Sequence, residues 1–433
     1  MGSRSSGSGS KTTKAPTLPA YLRPQLRLFL TADIVGSTAY KQRFPSWSEP
    51  KSLLGLSADA SAAERKKHLH PAWFAPIADF YAQTQTSFHR HWADLQTQAG
   101  KDSAFKDIVI GKPPSFWKAI GDEIAFSKRL ENAHEAIFAM VAWIKTLEDA
   151  RALLQSHSQE LDVKSAAWLA GFPVRNTEVI FAPSSFDKDM KTPPEGDDDF
   201  VYRALSRLKA FYDGSGSAGK DEAWIRDFVG PSIDTGFRIA GKATPRKFMI
   251  SVELANLLHH AHDTLPDKGS SVLKSHLQNI QFRYDGREQF KGVMGNTPYP
   301  LIWIDLDSSD SARDALNAAE DEISGTTSPT IKQVGKFCDA FIRDHPKYLV
   351  APYICDAAGK KVHGERPPDH GVKASYLAKI DEWFRSETKK IADENAVMAS
   401  PELQITGTTT IGKSDLASLK IAAPKKPSKK KAQ

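Results

Sequence analysis

The chain is built around residues 27–43, which read Arg-Leu-Phe-Leu-Thr-Ala-Asp-Ile-Val-Gly-Ser-Thr-Ala-Tyr-Lys-Gln-Arg. Residues 28–31 form a short apolar run of β-prone side chains, which predicts a buried strand. Asp33 stands where this strand is expected to end, and the Gly-Ser-Thr at 36–38 then opens a helix. The segment therefore predicts a strand, a tight turn and a helix, with a carboxylate at the turn.

A carboxylate beside the start of a helix suits the binding of a triphosphate. Asp33 can hold a divalent cation through its oxygens, because hard cations prefer oxygen ligands. The unpaired N–H groups of the first helical turn, after Gly36, can donate to phosphate oxygens. These two features predict a nucleotide-binding segment.

Two further stretches carry side chains of the same kind. Residues 116–126, Phe-Trp-Lys-Ala-Ile-Gly-Asp-Glu-Ile-Ala-Phe, place Gly121-Asp122 between two apolar runs, which predicts a hairpin with a carboxylate at its tip. Residues 226–239, Arg-Asp-Phe-Val-Gly-Pro-Ser-Ile-Asp-Thr-Gly-Phe-Arg-Ile, predict a helix entered through a Gly-Pro pair. Asp234 and Arg238 are four residues apart, so they share one face of that helix.

Together and in this order, the three stretches resemble the class III nucleotidyl cyclases. Within that family the chain is most similar to the pyrimidine cyclases of the Pycsar anti-phage systems. The resemblance covers roughly residues 25–307. Strands and helices interleave along the chain, which by itself predicts an α/β or α+β core. The resemblance implies the α+β choice: a ferredoxin-like class III cyclase core with a helical insertion and a helical C-terminal extension.

Composition divides the chain into segments and excludes some function classes. Of the 433 residues, 40% are hydrophobic and 25% charged, as in soluble globular proteins. Five lysines lie in the last ten residues, so most of the net charge of +6 belongs to a tail rather than to a nucleic-acid-binding face. No membrane span, signal peptide or disulfide framework is evident, so we expect a cytoplasmic protein. The predicted segments are a flexible linker (1–20), the catalytic domain (21–307, with an insertion at about 44–111), a helical extension (308–394) and a disordered basic tail (395–433).

The family resemblance implies a site with two divalent metal ions. The expected ligands are the carboxylates of Asp33 and Asp122, with the main-chain carbonyl of Ile34 as a further ligand. Taken singly, Asp33 could be a helix cap and Asp122 an ordinary turn residue. Mn²⁺ and Mg²⁺ accept the same hard oxygen ligands, so the sequence leaves the identity of the ion open.

The resemblance also assigns roles to the polar residues of the third stretch. Arg238 is expected to stabilise charge on the α-phosphate in the transition state, although a surface salt bridge is its alternative role. Asp234 stands where the family usually has an asparagine that orients the ribose, and a carboxylate can still accept a hydrogen bond from a hydroxyl. Residues 290–293 and 300–304 predict a terminal hairpin, and Lys291 within it is the expected phosphate-binding lysine.

Lys118 and Asp227 match the two positions that read the base in relatives specific for purines. A donor beside an acceptor fits adenine, cytosine and, with small shifts, uracil, but fits guanine poorly. The size of the pocket must then separate purine from pyrimidine. Tyr40, Trp117 and Phe237 are bulky residues near the motifs, and Tyr40 is the preferred size filter. Plain core packing is the alternative for each of the three.

Lys118 and Asp122 are four residues apart on one hairpin, yet they are assigned to the base and to the metal. One strand end does not readily reach both ends of a nucleotide, and the family resemblance implies a site shared between two subunits, so the prediction is a head-to-tail homodimer with two shared sites. The predicted reaction converts UTP, or next CTP, to its 3′,5′-cyclic monophosphate and pyrophosphate. The product would be an antiviral second messenger acting on a separate effector protein, with no nucleic-acid or membrane partner. The alternatives are an adenylate cyclase making cAMP and a degenerate cyclase-like binding domain.

Overall fold

The computed structural model describes residues 20–43, 73–105, 108–182, 199–212, 224–265, 275–276, 280–306, 311–325, 328–356 and 360–365, and the single residues 382, 385, 389 and 393. The chain divides into two compact units, 1–380 and 381–433. In the second unit the four described residues are helical. The predicted linker (apart from its last residue), the basic tail and residues 44–72 of the predicted insertion lie outside the described residues.

The first unit mixes strands and helices along its whole described length. Its strands are β1 Gln25–Val35, β2 Ser115–Ile120, β3 Glu123–Leu130, β4 Asp162–Phe172, β5 Thr177–Phe181, β6 Ile225–Val229, β7 Lys247–Ile250, β8 Phe282–Glu288, β9 Tyr299–Asp305, β10 Ile354–Cys355 and β11 Lys361–His363. Its α-helices are α1 Ser37–Gln42, α2 Phe74–Lys101, α3 His134–His157, α4 Asp199–Tyr212, α5 Pro231–Ala240, α6 Val252–Asp263, α7 Ser311–Ser324 and α8 Ile331–Asp344. In the described part of the chain, every helix is too short or too polar to cross a membrane.

One seven-stranded sheet organises the unit, with the order β2-β3-β1-β4-β7-β9-β8. Among β2, β3, β1 and β4, each adjacent pair of strands is antiparallel. Because α2 lies between β1 and β2 in the chain, and α3 between β3 and β4, these elements form a ferredoxin-like split βαββαβ unit. β7 then pairs parallel to β4, and β9 and β8 continue antiparallel. The predicted α+β fold is confirmed.

β1 is an interior strand of the sheet, and its burial explains why its sequence is an apolar run. Every residue from 25 to 32 is buried, since the neighbouring strands and the layers on both faces exclude water. The prediction that the strand ends at Asp33 was wrong. Pairing with β4 continues to Val35 opposite Asp162, so Asp33 lies inside β1 and directly opposite Glu123 of β3.

The helical residues of the predicted insertion include α2, which is the crossover between β1 and β2. Its buried side chains face α3 and the sheet, and Phe88, Phe126 and Trp143 form an aromatic cluster. The ring centroid of Phe88 is 5.4 Å from that of Phe126 and 4.8 Å from that of Trp143, with edge-to-face geometry. These contacts make α2 part of the hydrophobic core.

The C-terminal extension folds back on the same unit. α7 is tied to the sheet by Arg246, whose guanidinium lies 2.9 Å from Asp305 of β9 and 2.9 Å from Asp321 of α7. α8 begins with a capping box at Thr330 and packs its buried face against α6. The chain beyond α8 therefore starts from a fixed position on the core.

Gly236 is the point of closest approach between α5 and β4, and it gives a test of the packing. A Cβ atom there would lie 2.2 Å from Cδ2 of the buried Trp168 ring. We therefore expect Gly236→Ala to lower the free energy of unfolding by about 1–3 kcal/mol, because the ring or the helix must shift. Urea unfolding followed by circular dichroism measures this change.

Gly100→Ala is the matched control, because a Cβ atom at this position in α2 meets nothing within 4 Å. That variant should keep or raise the free energy of unfolding, by up to about 1 kcal/mol, since alanine favours a helix. Equal stability of the two variants would contradict the described contact between α5 and Trp168.

Candidate active site

Asp122 lies in the two-residue turn between β2 and β3, where α1 holds it in place. Ser37, in the first turn of α1, donates a hydrogen bond from its hydroxyl to Oδ2 of Asp122. Lys41, one turn further along, places Nζ 3.6 Å from the same oxygen. The strand-turn-helix and the hairpin predicted from the sequence therefore meet at this carboxylate.

Asp33 pairs with Glu123, the residue that follows Asp122, and both aspartates affect the pKa values of the same neighbouring groups. The pKa of Glu123 is raised first by burial and next by the charge of Asp33, with a smaller contribution from Asp122. Burial and the charges of Asp122 and Asp33 likewise raise the pKa of Tyr81, whose hydroxyl donates to the carbonyl of Gly121. Both aspartates thus lie close to one phenol and one carboxyl, at one end of the sheet.

We call Asp33, Asp122 and Glu123 the acidic group. Lys164 of β4 partly compensates it, with Nζ 3.0 Å from Oδ2 of Asp33. The side chains of Asp33 and Lys164 are 29% and 32% exposed, so an incoming ion or ligand can reach them. The sequence analysis missed Glu123, Tyr81 and Lys164, although Glu123 directly follows the Gly-Asp pair.

The acidic group fits the divalent ions that the family resemblance implies. Asp33 and Asp122 offer hard oxygen donors, and Ile34 follows one residue after the last β1–β3 pair. Among the residues that the structure describes, no group of three or more His, Cys, Asp or Glu could hold a metal ion by itself. Two carboxylates and a carbonyl would leave coordination positions for water and phosphate oxygens, as Mg²⁺ usually requires.

A second group of predicted residues lines one cavity of about 640 Å³. Asp234 and Arg238 project into it from one face of α5, and Lys291 lies on another wall. The start of α5 is fixed by Asn176, whose Oδ1 accepts from the N–H of Ser232 at 3.1 Å. The structure thus brings together three residues that were assigned to the ribose and the phosphates.

Lys291 lies in a loop, whereas residues 290–293 were expected in a terminal hairpin strand. β8 ends at Glu288 and β9 begins at Tyr299. Gly292 and Gly295 have φ angles of 81° and 58°, which a regular strand does not allow. Residues 291–295 of this loop line the cavity, so Lys291 is still part of the cavity wall.

The wall of this cavity contains further charged side chains that sequence reasoning did not find. Arg175, from the turn between β4 and β5, and Lys347, beyond α8, add two cations. Glu253 of α6 adds a carboxyl whose pKa is raised by burial, against hydrogen bonds from Ser251 and Tyr299 that lower it. Cations therefore outnumber ionised carboxylates around the cavity.

Lys118 and Asp227 form an ion pair within one chain. Nζ of Lys118 lies 2.8 Å and 3.1 Å from the two carboxylate oxygens of Asp227. The ammonium also lies 4.3 Å from the ring centroid of Trp117 and 5.9 Å from that of Phe237. The donor and acceptor assigned to the base are thus side by side, with an aromatic face beneath the donor.

The three bulky residues occupy different surroundings. Trp117 is buried and packs on Phe228 and Phe29, as expected for core packing. Tyr40 lies on α1, between the two residues that contact Asp122, and is half-buried against the core. Phe237 lines the cavity of Arg238 and also a smaller cavity of about 200 Å³ that contains Asp33.

Within one chain, Asp33 and Arg238 line different cavities that share Phe237 as a wall. Asp33 is accompanied in the smaller cavity by Glu123 and Lys164. The structure therefore brings the predicted residues together in three sets. They are the acidic group, the Lys118–Asp227 pair and the cavity of about 640 Å³ that Asp234, Arg238 and Lys291 line, which we call the cationic cavity.

Comparisons with known proteins give likenesses of fold only. No family model matches the sequence, and no curated protein matches it. The adenylyl cyclase CyaB from P. aeruginosa is similar in structure, with a TM-score of 0.35, 11% identity and coverage of 65% of this chain and 94% of that chain. The guanylyl cyclase Cya2 gives a TM-score of 0.31 and 13% identity over 65% of this chain and 92% of that chain. The guanylate cyclase domain of RhGC from Catenaria anguillulae, in complex with GTP, gives a TM-score of 0.30 and 9% identity over 65% of this chain and 96% of that chain.

The raised pKa of Glu253 predicts a pH-dependent stability. Because the folded state binds this proton more readily than the unfolded state, the stabilisation is complete below the unfolded pKa and is lost as pH rises through the raised pKa. Because glutamine does not titrate, the Glu253→Gln variant does not lose this stabilisation as pH rises. We expect the free energy of unfolding of the variant, relative to the wild type, to increase as pH rises above about 4.3, the ordinary pKa of glutamate.

Urea unfolding at several pH values measures this difference. The same series on Glu322→Gln, an exposed residue of α7, controls for the removal of one formal charge. A relative stability of Glu253→Gln that falls with rising pH would show that the carboxyl is held in its charged form.

Proposed function

We propose that this protein is a metal-dependent nucleotidyl cyclase that converts a pyrimidine nucleoside triphosphate to its 3′,5′-cyclic monophosphate and pyrophosphate. UTP is the favoured substrate and CTP the next. The observation that carries the proposal is the convergence of Asp234, Arg238 and Lys291 on one cavity, although Lys291 is distant from the other two in the sequence. Phe237, which lines that cavity, also lies near the Lys118 ammonium.

In the proposed reaction the ribose 3′-oxygen attacks the α-phosphorus of the same molecule. The new bond joins the 3′-oxygen to phosphorus, the bond from the α-phosphorus to the bridging oxygen breaks, and pyrophosphate leaves with that electron pair. The nucleophile is already part of the substrate, so the protein contributes positioning and charge stabilisation. The proton of the 3′-hydroxyl is lost to solvent or a phosphate oxygen.

Each residue of the cationic cavity has a role that follows from its charge. Asp234 accepts a hydrogen bond from a ribose hydroxyl and orients the 3′-oxygen. Arg238 donates to the α-phosphate oxygens, where negative charge increases in the transition state. Lys291 holds the terminal phosphates. The chemistry supplied by divalent ions bound at Asp33 and Asp122 is acidification of the 3′-hydroxyl and neutralisation of phosphate charge.

The Lys118–Asp227 pair reads the base by one donor and one acceptor. With uracil, the ammonium donates to O4 and the carboxylate accepts from N3–H; with cytosine, they contact N3 and the 4-amino group. Tyr40, on α1 beside the acidic group, is the proposed size filter against purines.

A homodimer would unite the separate sets of residues. Asp33 and Arg238 line different cavities of one chain, so the complete site is proposed to take the acidic group of one subunit and the cationic cavity of the other. A head-to-tail arrangement with two-fold symmetry gives two such sites. The cyclic nucleotide would act as a messenger on a separate effector protein in anti-phage defence.

Adenylate cyclase activity is the second candidate, because the Lys118–Asp227 pair also fits adenine N1 and the 6-amino group. Incubation with each of the four nucleoside triphosphates, with Mn²⁺ or Mg²⁺, and mass spectrometry of the products separates the two. We expect cUMP as the main product and a smaller yield of cCMP. Cyclic AMP as the sole product would contradict the pyrimidine assignment and favour the adenylate cyclase.

The shared site predicts that two inactive variants complement each other. Asp33→Ala should abolish turnover, and Arg238→Ala should lower kcat by roughly a hundredfold to a thousandfold. In a purified heterodimer of the two variants, one site carries both defects and the other carries neither. We expect that heterodimer, isolated with two affinity tags, to recover about half of the wild-type kcat per dimer.

Asp94→Ala on α2 and Arg343→Ala on α8 are matched controls, since both residues are exposed and lie outside the proposed site. Both should keep wild-type activity. An inactive heterodimer, or a wild-type protein that is active as a monomer in analytical ultracentrifugation, would exclude the shared site.

A further inference from the structure

We propose that the C-terminal extension contributes a polyphosphate-binding residue, Lys347, to the cavity that contains Arg238 and Lys291. The proposal deepens the proposed function, on which it rests for the identity of the phosphates as those of a nucleoside triphosphate. Residues 347–349 lie just beyond α8, outside the part of the chain that carries the cyclase-like motifs. The structure nevertheless places all three on the wall of the cavity.

The segment that carries Lys347 is fixed from two sides. Nη2 of Arg175, in the turn after β4, donates to the carbonyl of Pro346 at 3.1 Å. On the other side, the hydroxyl of Tyr348 lies against the β8–β9 loop, where a Cβ atom on Gly295 would be 2.5 Å from it. Leu349 is buried in the core immediately afterwards. The main chain at Lys347 is therefore held in place before any ligand arrives.

Arg175 is also under conformational strain. Its φ is 62°, in the left-handed region that long side chains rarely adopt. Such strain persists where the surrounding structure enforces it, and it is concentrated at functional sites. The guanidinium of Arg175 contacts residue 346, and Arg175 also lines the cavity. The turn after β4 and the extension therefore form one wall together.

The charges on this wall match a polyphosphate. Arg175, Arg238, Lys291 and Lys347 face a space that contains the carboxyls of Asp234 and Glu253. Within the described residues, Arg238, Lys291 and Lys347 form no ion pair with a carboxylate, and Nζ of Lys347 lies 5.3 Å from the ring centroid of its neighbour, Tyr348. Cations left without counter-charges around a cavity favour an anion with several negative oxygens.

The geometry assigns different phosphates to the cations. Arg238 shares α5 with Asp234, which is proposed to hold the ribose, so Arg238 is nearest to the α-phosphate. Lys291 and Lys347 come from the loop and the extension on other walls, and they are left for the terminal phosphates. Lys347 should therefore support substrate binding more than the chemical step.

The test compares Lys347→Gln with Lys336→Gln in the full-length protein. Lys336 is exposed on α8, so its substitution removes the same charge from the same extension without touching the cavity. Isothermal titration calorimetry with inorganic tripolyphosphate is the binding readout, because this probe contains no base or ribose. We expect Lys347→Gln to lower the affinity for tripolyphosphate roughly tenfold, as for the loss of one charged hydrogen bond. The affinity of this variant should also depend less on the salt concentration.

Lys347→Arg should recover most of the affinity, and Lys336→Gln should bind like the wild type. With nucleoside triphosphate as substrate, Lys347→Gln should raise KM roughly tenfold while kcat changes little. Lys347 is exposed, so the unfolding midpoint should not change in either variant. A merely structural role would move that midpoint and leave the salt dependence of binding as it was.

Equal tripolyphosphate affinities for Lys347→Gln and Lys336→Gln would overturn the inference, even if the enzyme cyclises nucleotides. A wild-type protein that does not bind tripolyphosphate would also overturn it. If Lys347→Gln weakens tripolyphosphate binding but no nucleoside triphosphate is cyclised by the wild type, the anion site stands and the proposed function fails.

Discussion

The burial of β1 between β3 and β4 is the constraint on which the candidate site depends. Its residues from 25 to 32 are buried, so its register against both neighbours is fixed, and a slip of one residue would turn every side chain to the opposite face. This register sets Asp33 opposite Glu123 and lets α1 begin where Ser37 can reach Asp122. The acidic group is thus a consequence of core packing.

The same core separates opposite charges within one chain. Carboxylates gather at one end of the sheet, where Lys164 and Lys41 neutralise them only in part. Cations gather in the cavity beside α5, and Phe237 forms the wall between that cavity and the one that contains Asp33. Each set has an excess of one sign, which is unfavourable in isolation. A ligand that combines phosphates with divalent cations would satisfy both sets, and the proposed site takes one set from each of two subunits.

Local patterns were enough to predict the parts of the site that lie close together in the sequence. The strand, turn and helix around Asp33, the hairpin that carries Asp122, and the shared helical face of Asp234 and Arg238 follow from residue type and spacing. The end of β1 could not be predicted, because the strand continues past the charged Asp33 to Ile34 and Val35 by pairing with β4. Lys291 was predicted to lie in a strand because apolar residues surround it. The left-handed φ angles of the glycines in this loop cannot be predicted from the sequence.

Apart from Glu123, which adjoins Asp122, the residues that were not predicted from the sequence reach the site from distant elements. Tyr81 arrives from the crossover helix, Lys164 from β4, and Lys347 from beyond α8, so no spacing rule connects them with the motifs. Their positions depend on tertiary contacts, such as those of Arg175 with Pro346 and of Gly295 with Tyr348. The cavity has no complete wall without these contacts, since the loop, the β4–β5 turn and the extension each cover one side of it. The extension is therefore part of the architecture that encloses the cavity, and its contribution to anion binding follows from the same contacts that stabilise its fold.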